Sequence, residues 1–183
     1  MGQVIAHRVL AGREVHVVLC STGATSTAKD AINGLSGNSW WGWHHNPARE
    51  GYTPLSTDAF IDARDREYVA ACGQLGVQPI NVHIATGRSD SITGAWAETM
   101  IASYATMFPD AGHYTTWWGD IHPDHAALGP ALKQLHAANP TRYADVRWLT
   151  KPAQAASAGA SAYALPAASA AEWSRPPPIL QCS

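Results

Sequence analysis

Apolar residues in this chain fall into short continuous runs separated by stretches with helical spacing, and the two kinds alternate. Val15 to Cys20 is a valine-rich run that predicts a buried strand, closed by the turn Ser21-Thr22-Gly23. Before it, Val4, Ile5, Val9 and Leu10 recur at near-helical spacing from Gly2 to Leu10, and Ala11-Gly12 ends that helix. Ser56 or Thr57 can cap a helix to about Leu75, with Asp58 in its first turn and Gly76 just past its end. Ile80 to Ile84 predicts the next strand, entered through Pro79. Ser91 or Thr93 opens a helix to about Phe108, closed by Pro109. Ala111 to Trp118 predicts a third strand and Asp145 to Leu149 a fourth. Between them residues 124–138 predict a helix, in which Pro130 costs a hydrogen bond and forces a kink or a late start.

This alternation predicts an α/β fold, a Rossmann-like three-layer parallel sheet with helices on both faces. Its first strand is missing: such sheets open on a strand, and this sequence opens on a helix. Residues 1–150 are expected to form that domain. From Lys151 the composition shifts to Ala, Ser and Pro and ends in Pro176-Pro177-Pro178, which predicts a disordered tail over residues 151–183. Residues 24–55 are rich in Gly, Ser, Asn and Trp. A connection this long is functional or disordered, and embedded tryptophans favour the first.

A length of 183 residues suits one domain with a substantial core. The net charge of −2 gives no electrostatic case for nucleic acid. No apolar run approaches the roughly 18–20 residues of a membrane span. Cys20, Cys72 and Cys182 are far apart and lack CxxC spacing, which argues against a disulfide framework and against a cysteine zinc site. A reducing cytoplasm is the expected location. Nothing in the sequence fixes an oligomeric state.

The densest chemistry is His122-Pro123-Asp124-His125, between the third strand and the helix after it. In open α/β sheets ligands bind at that junction. His125 at a helix start could hold a metal, and His122 could protonate a leaving amine or stabilise an oxyanion. Asp124 could accept from one ring nitrogen and fix its tautomer. The competing reading is a capped helix with surface histidines, since two imidazoles do not make a zinc site.

Gly119-Asp120-Ile121-His122-Pro123-Asp124-His125 resembles the second signature of the PIG-L/LmbE-like deacetylases, zinc-dependent enzymes that remove an N-acetyl group from a glucosamine-containing substrate. The likeness runs from Met1 to about Pro152. It takes in the Thr22-Gly23 turn, the Arg64-Asp65-Arg66-Glu67 helix with Leu75-Gly76-Val77 behind it, and Asp110 after Pro109. The resemblance implies His125 as a zinc ligand and His122 as the acid or oxyanion stabiliser held by Asp124. It implies a small-molecule or glycoconjugate substrate, with Arg64 and Asp90 as contacts. Trp43 and His44, in the tryptophan-rich loop, are expected to face the sugar, because tryptophan faces bind sugar rings. For Arg64 a simple pair with Glu67 stays open, as does helix capping for Asp90.

The family's first signature, Ala-His-Pro-Asp-Asp-Glu, ends its first strand and carries the other two zinc ligands and the general base. No such segment occurs in this sequence. By order of elements it falls before Met1, which is also where the leading strand is missing. The sequence is therefore expected to be an incomplete copy of a zinc-dependent N-deacetylase, with a partial zinc site and weak activity. The other reading is a catalytically inactive sugar-binding or regulatory module derived from that enzyme.

Overall fold

Helix and strand alternate in the predicted order in the computed structural model, which describes residues 2–35 and 44–160. α1 (Gly2–Leu10) leads into β1 (Val17–Leu19). α2 (Thr27–Ile32) and α3 (Pro47–Glu50) follow, then α4 (Thr57–Gln74) and β2 (Val82–Ile84). α5 (Gly94–Met107), β3 (His113–Thr116), α6 (Pro123–Ala138) and β4 (Val146–Leu149) complete it.

The long helices begin where their caps predict. Ser56 Oγ accepts from Ala59 N–H at 3.1 Å, and Thr93 Oγ1 from Trp96 N–H at 3.2 Å. α4 stops at Gly76, whose φ of +84° lets Val77 N–H turn back to the Cys72 carbonyl at 3.0 Å. A Cβ there would meet Val9 Cγ1 at 2.8 Å, so the same glycine lets α1 approach. α6 begins at Pro123 and continues through Pro130, so the proline does not delay its start. Proline at the first helical position loses no bond, because that N–H has no intrahelical partner.

The strands are shorter than predicted. Pro79–Asn81 form a 3-10 turn ahead of β2, and the β3–β4 ladder starts at His113 opposite Val146. The long polar stretch also holds structure that its composition hid. Ser26 caps α2 and Asn46 caps α3, while Asn33 clamps Leu55 with two hydrogen bonds of 2.9 and 2.8 Å. After β4, Pro152–Gln154 make a further 3-10 turn. Trp40, Trp41, Trp43 and residues 161–183 lie outside the described residues.

The described strands form two parallel pairs and not one continuous sheet. β1 pairs with β2, Val17 opposite Val82, and β3 pairs with β4. Each pair leaves β1 or β3 without a described strand on its other side. Side chains bridge the two halves near their leading ends. Arg8 on α1 donates to Tyr114 Oη at 2.7 Å, and the His16 ring lies 3.9 Å from the Phe108 ring. The main core belongs to the second half. Ala97, Ile101 and Ala105 of α5 pack on Ala131 and Leu132 of α6, with Tyr143 beneath. Small residues on both helices permit that close approach.

Candidate active site

β3 delivers the chain to α6 through a tight turn. Trp117 N–H extends the ladder to the Leu149 carbonyl at 2.9 Å, and Asp120 N–H returns to the Trp117 carbonyl at 3.2 Å. Gly119 lies under the Trp117 ring, where a Cβ would come within 2.5 Å of it. Asp120 then accepts from His122 N–H at 2.9 Å. His122 occupies the N-cap position with extended backbone, and Pro123 starts the helix. Three residues on, His125 falls on the same side of the helix, and the two imidazole centroids are 4.8 Å apart. Thr116 Oγ1 donates to the His125 carbonyl at 2.8 Å, which ties the first turn of α6 back to β3.

The two carboxylates of this stretch do different things. Asp124 is buried, and its Oδ1 accepts from Ile92 N–H at 2.9 Å. It anchors α6 to the segment after β2, in place of the expected contact with the His122 ring. Asp120 is the carboxylate that faces a ring: its Oδ2 lies 3.3 Å from His125 Nδ1. That approach is close but poorly aligned, since Nδ1 is buried and makes no full hydrogen bond. The Asp120 side chain is only 3% exposed, and Lys151 Nζ stands 4.0 Å from its Oδ1. The His122 amide holds the Asp120 carboxyl below the usual carboxylate range against the effect of burial, helped by His125 and Lys151.

Asp90 clamps the turn after β1. Its Oδ1 accepts from Thr22 N–H at 3.0 Å, Thr22 Oγ1 at 2.5 Å and Gly23 N–H at 2.7 Å, and its Oδ2 from Thr25 N–H at 2.6 Å. Burial opposes ionisation, but the Thr22 hydroxyl and the Thr25 and Gly23 amides outweigh it, so the carboxyl is held low. Bonds to a charged group contribute about 1.5–3 kcal/mol. Asp90→Ala is therefore expected to lower the unfolding free energy by about 2 kcal/mol in urea titrations. The native pKa is depressed, so this stability is present above the unfolded value of about 4 and is lost as pH falls through the native one. The gap between wild type and Asp90→Ala should close in acid; a gap constant with pH would contradict the clamp.

Arg64 lies on the open face of α4, 55% exposed, and pairs with Glu67 at 2.6 Å. The arginine that reaches the strand ends is Arg88, which sequence reasoning missed. It donates to the Ser21 carbonyl at 3.2 Å and to Asp65 Oδ1 at 2.6 Å. Its signal was its place, one turn after β2 and two residues before Asp90. His44 lines a cleft of about 470 Å³ together with Asn33, Asn46, Tyr52 and Thr53. Trp43 lies outside the described residues. The structure thus gathers the ends of β1, β2 and β3 through Asp90, Arg88 and Asp124, with His122, His125 and Asp120 at the β3 end.

A catalytic zinc takes three protein ligands. His125 suits one of them by type, its side chain 40% exposed while Nδ1 is buried. Among the described residues no three His, Cys, Asp or Glu side chains are gathered closely enough to hold a metal. These residues do not fit a whole metal centre. What they offer is an imidazole pair with a buried carboxylate, able to donate a proton or a hydrogen bond to a substrate oxygen or nitrogen.

The family model described as PIG-L, GlcNAc-PI de-N-acetylase, matches residues 1–136. The match spans every element from α1 to most of α6, including His122, Asp124 and His125. No curated protein and no solved structure matches the chain.

Proposed function

The chain belongs to the PIG-L family, and on that premise we propose that it carries one half of a hydrolase site that removes N-acetyl from a glucosamine-containing conjugate. The observation that carries this reading is the pair of imidazoles 4.8 Å apart at the carboxyl end of β3. His122 stabilises the oxyanion or protonates the leaving amine, and Asp124 keeps the helix start in place. His125 is the ligand this half contributes to zinc. Zinc, held with donors outside the described residues, would polarise the acetyl carbonyl and acidify a water. Arg64, Asp90, Trp43 and His44 are the proposed sugar contacts. Asp90 can serve through Oδ2, which accepts from the Thr25 amide.

The fold reading goes with it. Among the described residues β1 and β3 each have an unpaired edge, and Arg8 and His16 hold the two halves together. A fifth parallel strand between them, from polypeptide outside the described residues, completes one three-layer sheet in the order β2-β1-strand-β3-β4. Such a strand also brings the missing donors to the same edge as His125. No helix among the described residues is long and apolar enough to cross a membrane. A cytoplasmic setting is the proposed location, in keeping with the free thiols Cys20 and Cys72.

The test is metal content and turnover of residues 1–183. Dialysed protein is expected to retain zinc well below one equivalent and to release acetate from N-acetylglucosamine conjugates at the background rate. Tight, stoichiometric zinc would sink the two-part reading. The cleft beside His44 favours a second reading, a sugar-binding module without catalysis. Glycan binding that survives His122→Ala and His125→Ala together would support it.

A further inference from the structure

Asp120 is more deeply shielded than either histidine of the signature, yet the hydrolytic scheme gives it no part. Its side chain is 3% exposed, against 40% for His125. Its two oxygens face different partners. Oδ1 takes the His122 amide at 2.9 Å, with Lys151 Nζ 4.0 Å away. Oδ2 faces His125 Nδ1 at 3.3 Å. A buried carboxylate is an acceptor only, so the ring nitrogen beside it is favoured as N–H. A neutral imidazole has one N–H, and placing it on Nδ1 leaves Nε2 with its lone pair.

We propose that Asp120 is a positioning residue that, through this close but unaligned approach, biases His125 toward the Nδ1–H tautomer and presents Nε2 as the acceptor on the exposed side of the ring. The same carboxylate captures the His122 amide at the start of α6. Lys151, two residues beyond β4, balances its charge from the neighbouring strand end. An imidazole that binds a metal through one nitrogen needs its other N–H held by such a partner. This inference rests on the reading of His125 as a donor nitrogen; its test does not depend on zinc or on turnover.

Asp120→Asn separates the two contacts. The amide oxygen can keep the His122 N–H, while the NH₂ group replaces Oδ2 and presents a donor to Nδ1. The tautomer of His125 is read from long-range ¹H–¹⁵N correlations of the full chain at alkaline pH, where imidazoles are neutral. Wild type is expected to show Nδ1 protonated and Nε2 bare. Asp120→Asn is expected to reverse that assignment with an unchanged far-ultraviolet circular dichroism spectrum. A wild-type His125 protonated on Nε2 overturns the proposal, and so does a folded Asp120→Asn that keeps the wild-type tautomer. If the variant does not fold, the wild-type spectrum decides alone. Absence of hydrolysis leaves this result untouched, and a wrong tautomer leaves the deacetylase reading to its own assay.

Discussion

Hydrolysis of an N-acetylglucosamine conjugate is expected to rise at least about 10²-fold over the bare chain when a parallel strand ending in Ala-His-Pro-Asp-Asp-Glu is fused ahead of α1. The reason lies in the edges of β1 and β3 that no strand among the described residues covers. On the proposed strand order, an added strand would satisfy backbone groups on both and join the half-sheets, with its carboxyl end at the β3–α6 junction. Zinc content of the fused protein should approach one equivalent in parallel. His122→Ala in that background should remove about 10²–10⁴-fold of the rate while leaving zinc bound, as loss of a general acid does. His125→Ala should lose the zinc as well. A fused protein that folds, binds zinc and shows no gain in acetate release would refute the assignment of this junction as half a hydrolytic site.

The second large effect is structural. Gly129→Ala is expected to cost about 3 kcal/mol, although alanine normally favours a helix by about 1 kcal/mol. A Cβ at Gly129 would lie 2.5 Å from Trp118 N, 2.6 Å from Trp118 Cα and 2.8 Å from the Thr116 carbonyl oxygen. These are backbone atoms, so no flexible side chain can yield. α6 must lift off β3, and the contact it loses is the one that presents His122 and His125. Urea titration followed by circular dichroism checks this, and a change below about 0.5 kcal/mol would mean the helix does not sit that close.

The helices were legible because their signals are local. Ser56, Thr93, Pro123 and Gly76 act within a turn of their own positions. The strand ends were not, because a strand extends only as far as a partner offers hydrogen bonds. Ala111 to Trp118 is apolar enough for a longer strand than β3, but the β4 ladder begins at His113. α2 and α3 escaped because short capped helices in a polar stretch carry no periodic stripe. At the site, the signature fixed the position of His122 and His125 but not the division of labour between Asp120 and Asp124. That division depends on Ile92 and Lys151, far away in sequence. Arg88 was hidden for the same reason, since Asp65 and Ser21 meet it only in the fold.

The split between the β1–β2 and β3–β4 pairs gives the molecule a seam. The second half has its own core of α5 on α6, whereas the first half meets it through bridges such as Arg8 to Tyr114 and Ile92 to Asp124. Segments with fewer buried contacts open at lower free energy than the core they lean on. The imidazole pair rides on the firmer half and the Asp90 clamp on the looser one. Opening along the seam therefore parts the Asp90 clamp from the histidines without unfolding either half, so the chain can lose the geometry of the candidate site before it loses its structure.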